Sequence, residues 1–522
     1  MTTAARGALA AAVAALAYAG TVPNGFVRDD FAAVADNPVV RGAVPIRETF
    51  RRNAYGGLGA DRLALYRPVP MLLFRMEWAA GHGSPALFHA VNAALHAGVC
   101  AAAVWALSSV AGGAVFAAAL LFAVLAAPAE AVEAIVGRWD LLVALGALLG
   151  LGLHLRGRTA AAAAVAFLAM LCKESGAFVP AAWLAAEVLL RPPARPELLR
   201  RARPYFAYAA AVAAGIAMRA LAFSPLTRPW MSPLNNPLVL VQGPARWLGA
   251  ARNVFRYAAS VIDPGYRLYA CGVPDCGATS AGDWRAWLGL LIMAAIVAAP
   301  FFLRRRDPLA AAGLAWCAIF FLPVSSFFAA GPGYAERLLY LPFLGLSLAA
   351  AAGAKALGTA ARRPALGWGL LAAFGVANLI AVQQRHLDWR SFAELSVADA
   401  DRLPGNALLE SIAAVHDFER HDATGALARA ERALRPEPGN VLALHVKGLA
   451  LDRLGRPAEA EQALLLAFEE SGRAPPLTED YVRFLLRHRR PAEARAALEK
   501  ARAARPGENV LPQLDAEIER RR

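Results

Sequence analysis

Long stretches without a single charged side chain recur through the first three quarters of this sequence, and they decide what the chain can fold into. Residues 7–27, 286–303, 308–335, 338–354 and 364–384 contain no Asp, Glu, Lys or Arg. A helix needs roughly 20 apolar residues to cross about 30 Å of hydrocarbon, where each charge is costly. These stretches therefore read as membrane spans. The run 83–129 is long enough for a hairpin of two helices, and four further segments, some short, fit between Asp140 and Arg219. Eleven spans result. Composition agrees, since 58% of the 522 residues are hydrophobic and only 18% charged, outside the range of ordinary soluble domains.

An odd number of spans puts the two termini on opposite sides, and positive charge in the short loops marks the cytoplasmic one. One alternating set of loops holds Arg156 and Arg158; Arg191, Arg195, Arg200, Arg201 and Arg203 against Glu197; Arg304 to Arg306 against Asp307; and Lys355, Arg362 and Arg363. The other set holds Glu130, Glu133, Arg138 and Asp140, then Lys173 with Glu174, then Glu336 with Arg337, and none of these is net positive. The first set is assigned to the cytoplasm. This gives a multi-pass inner (cytoplasmic) membrane protein with a cytoplasmic N-terminus and a C-terminal segment in the periplasm. The long loops 24–85 and 223–285 are Arg-rich yet fall outside, and loops of that length obey the rule weakly. The net charge of +14 follows from this asymmetry and is not a nucleic-acid footprint. The first span is read as an uncleaved helix, because no clear small-residue cleavage site follows its Ala-rich core. Of five cysteines, Cys271 and Cys276 share an outer loop, where a disulfide and two free thiols are both open readings.

After Arg385 the composition changes to Ala, Leu, Glu and Arg at helical spacing, punctuated by Pro and Gly. Gly405, Gly439 and Gly507 are separated by 34 and 68 residues. Ala426, Ala460 and Ala494 keep the same register, as do Ala433, Ala467 and Ala501, and Pro438, Gly472 and Pro506. A 34-residue period with small residues where paired helices touch is the tetratricopeptide pattern. About three units fit, each burying a face that it cannot cover alone. The sequence thus predicts an all-α chain: a transmembrane domain over 1–385, a linker over 386–403 and a tetratricopeptide α-solenoid over 404–522.

Ionisable residues at span ends are functional candidates, because each is costly there. Asp29 and Asp30 follow the first span, and Tyr66-Arg67-Pro68 precedes the second. His89, Asn92 and His96 share one helical face at its start. Glu130, Glu133, Arg138 and Asp140 join the third and fourth spans, Lys173 and Glu174 the fifth and sixth, and Glu336, Arg337 and Tyr340 open the tenth. Every cluster lies on the outer face in this topology. Sugar transfer from a polyprenyl phosphate needs a carboxylate to take the acceptor hydroxyl proton and cations to neutralise the departing phosphate. Simpler readings exist for each cluster. Asp29 and Asp30 would also suit a helix cap. Glu133, Arg138 and Asp140 read as an interhelical salt-bridge set, while Lys173 with Glu174 and Glu336 with Arg337 could pair structurally. His89 and His96 lack a clear third metal ligand, which favours buried hydrogen bonding.

The order of these motifs is specific: Asp-Asp after span one, Tyr-Arg-Pro, Phe88-His89-x-x-Asn92-x-x-Leu95-His96, Val132-Glu133-Ala134, Gly137-Arg138-x-Asp140, Lys173-Glu174, Glu336-Arg337-x-x-Tyr340-x-Pro342, then the repeats. In this order and over nearly the whole chain, the sequence resembles the transmembrane-and-tetratricopeptide-repeat O-mannosyltransferases and their bacterial relatives, within the GT-C fold glycosyltransferases. The resemblance implies inverting transfer of a sugar, typically mannose, from a polyprenyl-phosphate donor to Ser or Thr hydroxyls of a protein acceptor on the extracytoplasmic side. It implies a catalytic acid at Asp29, with Asp30 beside it, and donor contacts at Arg67, Arg138, Lys173, Arg337 and Tyr340. His89, Asn92, His96, Glu133, Asp140, Glu174 and Glu336 would support them. No cofactor is fixed, no metal site is assigned, and a divalent cation remains compatible with the motifs. The loop after span three departs from the family, reading Ala127-Pro128-Ala129-Glu130 where His-Pro is usual. The alternative is a non-enzymatic membrane scaffold whose repeats recruit envelope proteins; an O-antigen polymerase or ligase has a similar topology but another motif order. A reporter or protease site placed after residue 385 is expected to be accessible only from outside the cytoplasm, and labelling from the cytoplasmic side would overturn the topology.

Overall fold

The computed structural model describes residues 1–56, 65–223, 236–265, 276–328, 332–504 and 511–520. Among these there is no strand, and every regular element is helical. It divides into a helical unit ending at Glu394 and a second unit starting at Leu395.

The first unit begins with α1 (Thr3–Ala17), α2 (Pro68–Gly81) and α3 (Pro85–Val124). Gly7, Ala10, Ala14 and Ala17 are buried on one face of α1, a small-residue stripe that lets it lie close against α3. Pro at the first turn starts both α2 and α3, where its missing N–H has no helical partner to lose. The 40-residue α3 reverses direction at Ala111, whose φ of −154° and ψ of 59° are non-helical. A hydrogen bond between His96 Nε2 and the Ala123 carbonyl at 3.3 Å requires that reversal, because on a straight helix the two would be about 40 Å apart. The adjacent Gly112 and Gly113 weaken the helix at that point. The expected hairpin is therefore present, with its two arms antiparallel.

The chain continues through α4 (Glu130–Glu133), α5 (Arg138–His154), α6 (Thr159–Cys172), α7 (Val179–Leu190), α8 (Leu198–Ala222) and α9 (Pro244–Ile262). It closes with α10 (Trp284–Leu303), α11 (Pro308–Phe321), α12 (Tyr340–Ala360) and α13 (Pro364–Asp388). Seven helices among the described residues are long and apolar enough to cross a membrane by length and composition. The reversal within α3 splits one of these into two arms, and α6 and α11 are shorter apolar helices. At 14 residues, α6 rises only about 21 Å, less than the hydrocarbon thickness. Its early end leaves Lys173 and Glu174 at a tight turn instead of deep in a span. Gly313 of α11 and Gly345 of α12 meet backbone to backbone, with no room for a Cβ on either, as close helix packing in a bilayer favours.

The segment 24–85 carries α2, and the segment 223–285 carries α9. Cys100, Cys172 and Cys317 are free and buried; Cys276 is disulfide-bonded, and Cys271 lies outside the described residues. The stretch 386–403 is not an extended linker. The end of α13 and α14 (Phe392–Arg402) make it helical, and the division between units falls inside α14.

The second unit stacks three helix pairs: α15 (Ala407–Glu419) with α16 (Ala423–Leu434), α17 (Val441–Arg453) with α18 (Pro457–Glu470), and α19 (Pro475–Arg487) with α20 (Pro491–Ala504). Short α21 (Gln513–Glu519) follows. Corresponding helices begin 34 residues apart, which is the period read from sequence. Its small-residue columns are core: Ala426, Ala460 and Ala494 are all 0% exposed, because the two helices of a pair touch there. Gly507 and Pro506 lie outside the described residues. Phe468 of α18 packs against Tyr481 of α19 with ring centroids 5.4 Å apart, joining the second pair to the third. Phe468→Ala is expected to cost this unit about 3–5 kcal/mol, read as lost amide-exchange protection across 441–504 in the full chain.

Candidate functional site

The loop after α1 turns through Arg28, whose φ of 44° places a bulky residue in the left-handed region, an arrangement that needs outside support. Asp30 supplies it. Its side chain is fully buried; Oδ2 accepts from the Val27 amide at 3.1 Å and Oδ1 from the Val136 amide at 2.9 Å, so it pins this loop to the connection between α4 and α5. Burial pushes the Asp30 carboxyl up to about 7, against the two amides and with help from the charge on Asp29. Asp30 is thereby a brace for the loop and does not share the exposed position expected for a catalytic pair.

Asp29 points the other way. Its side chain is 29% exposed, and Oδ2 lies 3.6 Å from Nη2 of Arg337. Arg337 is also tied to Glu130: its backbone N–H donates to Oε2 at 2.8 Å, and its guanidinium pairs with Oε1. Burial raises the Glu130 carboxyl, and Arg337 opposes that rise. Lys173 donates to both oxygens of Asp140 at 2.7 Å, and Arg67 Nη2 donates to Glu174 Oε2 at 2.8 Å. The Arg67 guanidinium stacks 3.9 Å above the Trp139 ring.

These pairs share one electrostatic neighbourhood. Burial lowers the Lys173 ammonium; Asp140 opposes that, and the charges of Arg67 and Arg337 add to it. Tyr55, edge-on to Trp139 at 6.4 Å between centroids, has its hydroxyl pushed up to about 12 by burial and by Asp29, against Arg67, Arg337 and Arg28. The segments carrying Asp29, Tyr55, Arg67, Lys173 and Arg337, far apart in sequence, thus bring four charges and one neutral hydroxyl within electrostatic reach of each other.

A second layer lies beneath. Arg138 is completely buried: Nε donates to Asn92 Oδ1 at 2.8 Å, Nη2 to the Phe88 carbonyl at 2.7 Å, and Nη1 pairs with Glu77. Asn92 Nδ2 donates to the Val132 and Ala134 carbonyls at 3.2 and 2.9 Å. His89 bridges Thr21 Oγ1 at 3.2 Å and the Gly25 carbonyl at 3.1 Å. His96 Nδ1 meets the Tyr340 hydroxyl at 2.7 Å. Glu133 pairs with His386 of α13, whose other ring nitrogen meets the Ala17 carbonyl at 2.8 Å. Arg138 and Tyr340 are buried and engaged with protein groups. Glu133, Arg138 and Asp140 each form an ion pair with a different segment, as interhelical salt bridges. Glu336 is fully buried where α12 begins. Among the described residues no three potential metal ligands cluster. Glu77, His386 and Tyr55 were missed by sequence reasoning. Glu77, a lone acid in an apolar helix, carried a signal; Tyr55 carried none.

The fold and this cluster define an all-α, polytopic membrane protein that carries a tetratricopeptide array. No family model matches the chain. Among curated proteins, it is similar to Protein O-mannosyl-transferase Tmtc3 of Drosophila melanogaster, 26% identical over 539 aligned residues covering 86% of this chain and 57% of that protein. A Caenorhabditis elegans protein O-mannosyl-transferase is 25% identical over 63% of this chain and 48% of its own length. Protein O-mannosyl-transferase TMTC1 of Mus musculus is 38% identical over 144 residues, 26% of this chain and 15% of that protein. The chain thus spans about half the length of the first two of these relatives, and it resembles the same transmembrane-and-tetratricopeptide group to which its motif order points.

Asp30 offers a direct test through pH. The unfolded carboxyl ionises near 3.8, whereas the folded one keeps its proton to about 7. Raising the pH across that window ionises only the unfolded chain, so this group lowers stability until the folded carboxyl ionises as well. Asp30→Asn loses one amide contact but has no such slope. Thermal melts are therefore expected to show its deficit against wild type largest near pH 5 and shrinking towards pH 8.

Proposed function

We propose that the protein is an integral-membrane GT-C glycosyltransferase that moves a sugar, typically mannose, from a polyprenyl phosphate to Ser or Thr hydroxyls on the extracytoplasmic side. The observation that carries this reading is the partly exposed Asp29 carboxylate at 3.6 Å from Arg337, in the same charged neighbourhood as Arg67 and Lys173. The names of the curated relatives support the reaction class.

In this mechanism Asp29 accepts the proton of the acceptor hydroxyl as its oxygen attacks the anomeric carbon. The bond from that carbon to the phosphate oxygen breaks, and its electron pair leaves on the phosphate. Arg337 and Lys173 neutralise the growing charge, with Arg337 suited to two-point contact through its planar fork. Their carboxylate partners Glu130 and Asp140 hold them in place before the donor arrives. Asp29 is suited to the role that Asp30 cannot take, because both Asp30 oxygens are already occupied by backbone amides. Attack opposite the leaving phosphate inverts the anomeric centre. The repeats would hold the protein acceptor.

Asp29→Asn keeps the side-chain volume and removes the base. Transfer of labelled sugar from polyprenyl phosphate by the purified protein is expected to fall about 10²–10⁴-fold in kcat, with expression and insertion retained. Undiminished transfer removes Asp29 from the mechanism, and an intact wild type without transfer favours the scaffold reading.

A further inference from the structure

The end of the helical unit remote from Asp29 holds a separate feature. α5 starts at Arg138 beside the charged cluster and ends at His154, about 25 Å away at 1.5 Å per residue. There the first turns of α1, the first arm of α3 and Arg156 line an open cleft of about 520 Å³, within the size range of small-molecule sites. Its floor is apolar, formed by Gly7, Ala8 and Ala101. A Cβ on Gly7 would stand only 3.7 Å from the Ala101 carbonyl, so the helices lie close and the floor is methyl groups and backbone.

The rim is built differently. Trp105, Ser108 and Arg156 line it, and no carboxylate is among the lining residues. The Arg156 guanidinium lies 4.1 Å above the Trp105 ring. Its Nη1 donates to the Gly152 carbonyl at 2.8 Å and its Nη2 to the Trp105 carbonyl at 3.0 Å. Those bonds use two of its five N–H groups, and the side chain is exposed. Trp105 itself occupies the space that a Cβ on Gly152 would need. Nearby, Arg191 bridges Ser109 Oγ at 3.2 Å and the Leu155 carbonyl at 3.1 Å, adding a second cation at this end.

We propose that the cleft binds an anionic phospholipid, with the lipid phosphate on Arg156 and an acyl chain along Gly7, Ala8 and Ala101. An apolar floor meeting a fixed cation and an indole matches an amphiphile with its anion at one end. A soluble anion gains nothing from the floor. A zwitterionic lipid brings its own cation towards Arg156 and Arg191. The loop-charge pattern assigns this end to the cytoplasmic leaflet, where anionic lipids concentrate.

The test uses the purified full-length protein in neutral detergent, titrated with phosphatidylglycerol, phosphatidylcholine or inorganic phosphate, and read by native mass spectrometry and thermal shift. Phosphatidylglycerol is expected to bind and stabilise. Phosphatidylcholine should bind about tenfold more weakly, and Arg156→Gln should weaken phosphatidylglycerol about tenfold, as loss of a charge-assisted contact requires. Ala8→Trp, at an exposed position, fills the floor without changing charge and should remove binding of the lipid. The melting temperature without lipid shows that each variant is folded, and Ala8→Trp decides the matter if Arg156→Gln does not fold. Equal binding of the two lipids, unchanged phosphatidylglycerol affinity in folded variants, or the same stabilisation by inorganic phosphate overturns the proposal.

Discussion

A charge inside an apolar helical bundle must find an opposite charge, and in this protein it finds one on a distant part of the chain. Arg337 shows the consequence. It reaches back 207 residues to Glu130 through both its backbone N–H and its guanidinium, and across to Asp29. Lys173 holds Asp140, Arg138 holds Glu77, and His386 holds Glu133. Removing one partner of such a buried pair generally costs about 3–5 kcal/mol, because the other charge stays buried without compensation. These pairs therefore join α2, α4, α5 and α13 to the turns that follow α1 and α6 and precede α12, while the apolar surfaces pack along the length of the helical unit.

The adjacent aspartates show how the same residue type divides into two roles. Asp30 faces inward and holds two backbone amides; Asp29 faces a cation and keeps contact with solvent. The left-handed Arg28 lies just before them, so the turn that separates the two directions is also the strained point of the loop. Strain of this kind persists only where surrounding contacts enforce it, and the Asp30 brace is one of those contacts. Gly137 belongs to the same brace, since a Cβ there would collide with the Ala131 backbone and push away the segment that carries the Val136 amide.

The repeat unit relies on a different interaction. Its pairs are joined by small-residue packing and by polar contacts close to one period apart: His445 with Asp480, Asp452 with Arg487 and His488, and Arg483 with Glu517. Each repeat meets mainly its neighbours, as a one-dimensional stack requires. Periodicity in the amino acids is thus carried directly into periodicity of contacts.

That difference explains which parts of the protein could be read from its amino acids. Helices, the α3 hairpin and the 34-residue repeat are set by local patterns of hydrophobicity, Gly and Pro, which act over one or two turns and survive in a linear string. The candidate acids and bases were legible as charges in places where charge is costly. Their partners were not, because a carboxylate selects whichever cation the packing of remote helices delivers. Only tertiary structure separated Asp29 from Asp30, withdrew Arg138 and Tyr340 into the interior, and brought Tyr55 towards Arg67 and Arg337. Burial and pairing are properties of three-dimensional neighbours, whereas spacing along the chain is a property of the sequence itself.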